Sequence, residues 1–144
     1  MMKKILLLLL FALLIIQFFQ ISSTNEDTRA ELDLIAMEKP SGDLGSLLRS
    51  ACYDCHSEQT VYPGYTKIQP VGWWVRGHVR GGKQKLNFSK WGDYTDKQRI
   101  HHGEESVEVL NEGRMPLKSY TWLHPQSKLS AEEKESLVAF FSAL

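Results

Sequence analysis

The chain has 144 residues, with 17 basic and 17 acidic side chains, so its formal charge is zero at neutral pH. Setting Lys3 and Lys4 aside with the apolar leader leaves fifteen basic against seventeen acidic residues, a net charge of −2 for the rest. No basic excess is available to neutralise phosphates, which argues against a nucleic-acid partner, and the length suits one modest core.

Met1-Met2-Lys3-Lys4 is a short basic start to the apolar run Ile5 to Ile16, continued by Gln17-Phe18-Phe19-Gln20-Ile21. Residues 1–21 thus have the pattern of a signal peptide or an N-terminal membrane anchor. Ile5 to Ile21 spans 17 residues, the lower limit for crossing a bilayer, and no A-x-A-like cleavage pattern follows. That favours an uncleaved anchor. Lys3 and Lys4 are expected on the cytoplasmic side, which puts the remainder in the periplasm or on the extracytoplasmic face of the inner membrane. No cysteine precedes Cys52, so lipoprotein modification has no acceptor. Residues 22–40 read as a polar tether and lead-in, with Ser22 to Arg29 the most polar part, and residues 41–144 as the folded domain.

Leu44, Leu47, Leu48 and Ala51 recur at helical spacing, with Ser41 or Asp43 as cap. This helix delivers the run Cys52-Tyr53-Asp54-Cys55-His56. Two thiols separated by two residues can each add to one vinyl group of the same porphyrin, while the adjoining imidazole reaches the iron. A C-x-x-C-H run is the attachment pattern of a c-type haem. A thioredoxin-like dithiol would need a βαβ surround, structural zinc would need a second ligand pair, and a plain disulfide would leave His56 without a role. One haem c, with its iron, is the cofactor that uses all three residues.

Tyr62-Pro63-Gly64-Tyr65 predicts a turn, and Pro70 the start of a short helix through Trp73, Trp74 and His78 that Gly81-Gly82 would end. Thr95-Asp96-Lys97-Gln98 fits a capping box, opening a helix with Ile100, Gly103, Val107 and Leu110 on one narrow face and Gly113 as its stop. Ser130-Ala131-Glu132-Glu133 is a second box, followed by a final helix that turns Leu137, Val138, Phe140, Phe141 and Leu144 inwards. No segment alternates as a strand. The domain therefore reads as all-α.

Met115, just past a helix end and followed by Pro116, is the only methionine placed after the thiol pair, and is the candidate for the sixth position on the iron. His78 is its rival, giving bis-histidine coordination. His101 and His102 point about 100 degrees apart on a helix and are expected to be solvated. His124 carries no signal beyond its residue type. Trp73, Trp74, Trp91, Tyr94, Tyr120 and Trp122 are candidate walls of the porphyrin site, two or three of them in contact with it. The free nitrogen of His56 is expected to donate to a carbonyl of the Tyr62 to Pro70 loop.

The chain resembles the single-haem c-type cytochromes of class I architecture, and among them a bacterial haem-binding-domain family. Cys52-Tyr53-Asp54-Cys55-His56-Ser57, Tyr62-Pro63, Pro70-Val71-Gly72-Trp73-Trp74, His78, Leu86-Asn87-Phe88-Ser89, Trp91 and Gly113-Arg114-Met115-Pro116-Leu117 carry the likeness, over roughly residues 41 to 144. The long aromatic and glycine-rich segment from Tyr62 to Tyr94 departs from the compact loop of ordinary small cytochromes. The resemblance implies a cytochrome c-like helical domain, with Cys52 and Cys55 as thioether carriers, His56 as proximal ligand and Met115 as distal ligand. The expected function is single-electron transfer between redox protein partners rather than catalysis. A haem-based peroxidase or gas sensor with a labile sixth ligand is the alternative, and a haem-free thiol or zinc protein the third reading.

Overall fold

Side-chain caps open four of the eight α-helices in the computed structural model, which describes residues 1–144 and contains no strand. The apolar leader forms α1, Met2–Ile16. It stops short of Ile21, with Gln17 as its C-cap still in right-handed helical conformation and the Gln17 Nε2 donating to the carbonyls of Leu13 and Gln69. No helix is long and apolar enough to cross a membrane.

Residues 22–40, expected as tether and lead-in, lie against the domain. Asp33 caps α2, Leu34–Glu38, by accepting from the Ile35 N–H. Asp33 is itself buried and also accepts from the Tyr53 hydroxyl at 2.7 Å, while Leu34 is fully buried. Glu38 accepts from the indole N–H of Trp91 at 2.8 Å. The sequence shows these residues as polar because a carboxylate that satisfies a buried hydroxyl or indole cannot be told from one facing water.

Ser41 opens α3, Gly42–Leu48, by accepting from the Leu44 N–H. The chain then passes through a π turn, Arg49–Tyr53, into the short α4, Asp54–His56. Single π turns tend to mark functional positions, and this one carries Cys52. The Ser50 carbonyl within it accepts from the hydroxyls of Ser127 at 2.6 Å and Tyr120 at 3.3 Å.

Helix α5, Val71–Lys85, does not end at Gly81-Gly82. Gly82 serves close approach instead: a Cβ there would sit 2.4 Å from the Cys55 carbonyl oxygen. Helix α6, Asp96–Asn111, and α8, Ala131–Ser142, begin at the two expected capping boxes, and Gly113 takes a positive φ just past α6. Between them lies α7, Lys118–Leu123.

The core gathers Leu34, Leu48, Tyr53, Phe88, Trp91, Leu110, Leu137 and Phe141, with Cys52 packed against it. Tyr53 stacks on Phe88, ring centroids 5.3 Å apart. Of the face predicted for α6, Gly103 and Leu110 are buried and Val107 half-buried, but Ile100 faces solvent. Gly103 admits α8, since a Cβ there would lie 2.6 Å from the Phe141 carbonyl. In α8, Leu137 and Phe141 enter the core, while Val138 and Phe140, and Leu144 just past its end, pack at the margin.

Two glycines of α5 should respond oppositely to alanine. Gly77 has open space around it, so Gly77→Ala should stabilise by about 0.5–1 kcal/mol through helix propensity alone. Gly82→Ala presses on backbone rather than on a flexible side chain and should destabilise by about 1–3 kcal/mol. Denaturant midpoints of the two variants check the signs.

Candidate functional site

The π turn and α4 place Cys52 and Cys55 three residues apart, hence on one side of the helix. Both are free thiols. Burial pushes Cys52 up to about 12, helped by the neighbouring Cys55, and pushes Cys55 up to about 11, helped by Asp54. A redox-active dithiol needs the opposite shift, and no βαβ unit surrounds this pair. No group of three or more His, Cys, Asp or Glu is gathered for a metal ion, so a zinc site lacks its second ligand pair.

His56 Nδ1 lies 3.1 Å from the Leu86 carbonyl. A carbonyl can only accept, so Nδ1 carries the proton and Nε2 keeps its lone pair. The ring lies beside Phe88, with centroids 5.9 Å apart. Burial lowers the pKa of His56 more than the Leu86 and Gly82 carbonyls raise it, so the imidazole is neutral near pH 7. A neutral imidazole with one nitrogen committed is the form that ligates a metal. The acceptor lies beyond α5, not in the Tyr62 to Pro70 loop, because Gly82 brings the end of α5 against Cys55 and carries Leu86 over the histidine.

The Leu86 carbonyl is framed on both sides. Asn87 N–H donates to the Tyr94 hydroxyl, Asn87 Nδ2 donates to Glu58 Oε1, and Asn87 Oδ1 accepts from Ser89 N–H. Glu58 N–H donates in turn to Ser89 Oγ, and Lys83 pairs with the Glu58 carboxylate at 2.5 Å. Burial draws the Glu58 pKa up, but Lys83, Asn87 and the Glu26 amide outweigh it and hold the group below its ordinary value. Sequence reasoning missed Glu58 and Lys83. Their only signal was a glutamate two residues past His56 and a lysine two residues before Lys85.

A cleft of about 50 Å³ opens beside Cys55, walled by Tyr62, Trp74, His78, Leu117 and Tyr120. Of Cys52, Cys55 and His56 only Cys55 lines this cleft, Cys52 being packed against the core; two thiols and a neutral imidazole are nonetheless the donor types that a haem requires. The residues therefore fit, with the cleft closed more tightly than the ~300–1,000 Å³ usual for cofactor sites.

The two candidate distal ligands are placed differently. Arg114 and Met115 turn back to the Val109 carbonyl, and Met115 is half-buried in a second depression of about 270 Å³ with Leu110, Pro116 and Leu129. It does not line the Cys55 cleft, but Leu117, two residues on, does. His78 does line that cleft, with Nδ1 donating to the Trp74 carbonyl at 2.9 Å and its ring against Trp74. His124 also reaches the cleft and donates to the Tyr120 carbonyl. His101 is exposed, whereas His102 is packed on Tyr94 rather than solvated, with a buried Nδ1 that lacks a hydrogen-bond partner.

Of the six aromatics expected as walls, Trp74 and Tyr120 line the cleft. Trp91 is buried in the core, Tyr94 stands behind Leu86, and Trp73 and Trp122 are exposed. Tyr120 also ties α7 to the thiol segment, donating to Asp54 Oδ2 at 2.8 Å. Asp54 Oδ1 accepts from the Val61 N–H.

The family model described as a haem-binding domain matches residues 11–143. No curated protein and no solved structure matches the chain.

The thiol environment sets a pH dependence for chain made without haem. An unfolded thiol titrates near ~8.5, so at pH 8 the folded pair should alkylate on the order of 100-fold more slowly than the denatured chain. Because the folded state retains protons that the unfolded state releases, stability should fall as pH rises from about 8.5 towards 11. Iodoacetamide labelling and denaturation at stepped pH measure both. Labelling as fast as in the denatured chain would contradict the burial argument.

Proposed function

The chain belongs to the haem-binding domain family, and on that premise we propose that it is a c-type cytochrome carrying single electrons outside the cytoplasm. The observation that carries this reading is the His56 Nδ1 to Leu86 bond, which assigns the ring proton to Nδ1 and so the lone pair to Nε2, in a residue that directly follows two thiols at attachment spacing. Cys52 and Cys55 would hold one haem c through thioethers, His56 would be the proximal ligand and Met115 the distal one. When bound, the haem supplies a one-electron ferric/ferrous couple.

The chain's own contribution is positional and electrostatic. Leu86 fixes the His56 tautomer and ring direction, the Asn87–Glu58–Lys83 network holds Leu86, and Trp74 and Tyr120 exclude water from the cleft. Such a device needs no general acid or base, so the reading is a carrier rather than an enzyme. Donor and acceptor are redox proteins, and the apolar leader ties the domain to the extracytoplasmic face of the membrane.

One observation favours a second reading. Met115 lies outside the Cys55 cleft while His78 lines it. A labile or open sixth position would make the protein a gas sensor or peroxidase.

Substitution separates these readings. Met115→Ala should leave haem on a denaturing haem-stained gel, lower the midpoint potential and admit carbon monoxide, while His78→Ala should change none of these. The converse pattern would assign His78. Prompt carbon monoxide binding by the reduced native protein would favour the sensor or peroxidase instead. Cys52→Ala or Cys55→Ala should weaken haem retention on the same gel.

A further inference from the structure

From Ile5 to Ile16 helix α1 is apolar all round, and none of its residues is buried against the domain. A helix of that kind belongs in lipid or in a core. Its 15 residues reach about 22 Å, short of the ~30 Å hydrocarbon layer by about 8 Å. A short span is accommodated by thinning the bilayer or drawing its flanks inwards. Lys3 and Lys4 can snorkel at one end. At the other end stands the folded domain.

That end is built rather than loose. The Gln17 side chain bonds both backbone groups of Gln69, donating to its carbonyl at 2.9 Å and accepting from its N–H at 2.8 Å. Gln69, only 2% exposed, donates through Nε2 to the Gln20 side chain and accepts from the Trp73 N–H at the first turn of α5. The Trp73 indole donates to the Phe19 carbonyl at 2.8 Å, and Arg76 to the Ser22 carbonyl at 2.5 Å. The family match begins at residue 11, inside α1, so the junction falls within the domain's own pattern.

Around this clasp Phe18, Phe19, Ile68, Val71 and Trp73 are all exposed, Phe18 at 87% and Ile68 at 60%. We propose that these five residues form a membrane-contact face, which seats the domain in the headgroup layer of a phospholipid bilayer at a fixed angle to α1. Aromatic rings with satisfied polar groups suit the interface, and Lys67 and Arg76 beside them suit lipid phosphates. Trp74, the neighbour of Trp73, lines the Cys55 cleft, so the cleft is held beside the lipid surface. A membrane-embedded redox protein then meets it without a search by the domain. This inference rests on the membrane-anchor reading proposed above.

The test uses the full haem-loaded chain in phosphatidylcholine and phosphatidylglycerol vesicles containing a diazirine-bearing phospholipid. After photolysis, adducts are mapped by mass spectrometry. Adducts are expected on α1 and also on residues 68–73, and Gln17→Ala should reduce the latter several-fold while leaving α1 labelled. Adducts confined to α1 would overturn the seating while preserving the anchor. Absence of adducts on α1 as well would remove the anchor reading together with this one. Undiminished labelling of residues 68–73 in the Gln17→Ala chain would show that the clasp does not seat the face.

Discussion

One hydrogen bond organises the site: the His56 Nδ1–H donating to the Leu86 carbonyl. It chooses the tautomer and requires that the segment of chain leaving α5 pass over the thiol segment. Gly82 makes that passage possible, since any side chain there would meet the Cys55 carbonyl. The constraint then spreads outwards through Asn87, Glu58 and Lys83, each buried or half-buried and each paired. A backbone carbonyl cannot be tuned by substitution directly, so a ring of side chains holds it. In low-dielectric surroundings a fully satisfied network of this kind rigidifies its members.

The same economy of paired groups explains why the polar lead-in is not a free tether. Glu26 donates its amide to Glu58 and pairs its carboxylate with Lys90, and Asn25 donates to the Thr60 carbonyl. Asp33 meets Tyr53, Ile35 and Gln59 at once. The exposed pairs contribute little individually. Asp33 differs, because losing it would strand the buried hydroxyl of Tyr53, the residue that follows Cys52, and an unsatisfied buried group costs about 1–3 kcal/mol.

What could be read from the residues was local. Capping boxes at Thr95 and Ser130 depend on side chains three positions apart, and the thiol run depends on five consecutive residues, so each is visible in a short window. The all-helical class follows from the same kind of periodicity. What could not be read was long-range. Gly82 carries the composition of a helix stop yet acts as a point of approach, and Ile100 fits the apolar period but has no neighbour to meet. The acceptor for His56 is a carbonyl thirty residues away, a group that every residue possesses and no sequence pattern distinguishes.

The cleft beside Cys55 has walls of unequal firmness, which bears on where a porphyrin would enter in the reading proposed above. The α4 wall is fixed by the core beneath Tyr53 and by Asp54. The α5 wall is fixed by the Gly82 approach and the Lys83–Glu58 pair. The third wall, from Leu117 to His124, is held to the thiol segment by the Tyr120 hydroxyl and, just past its end, by Ser127 on the Ser50 carbonyl, with His124 reaching Tyr65 only at 3.5 Å and Trp122 and Leu123 open to solvent. Its outer side faces solvent rather than the core, so it is the wall with least packing behind it if the cleft is to widen beyond about 50 Å³. Met115 lies two residues before that wall begins, in the adjoining depression. Met115 itself is held to α6 by its N–H donating to the Val109 carbonyl, so the wall and the methionine rest on different elements of the fold.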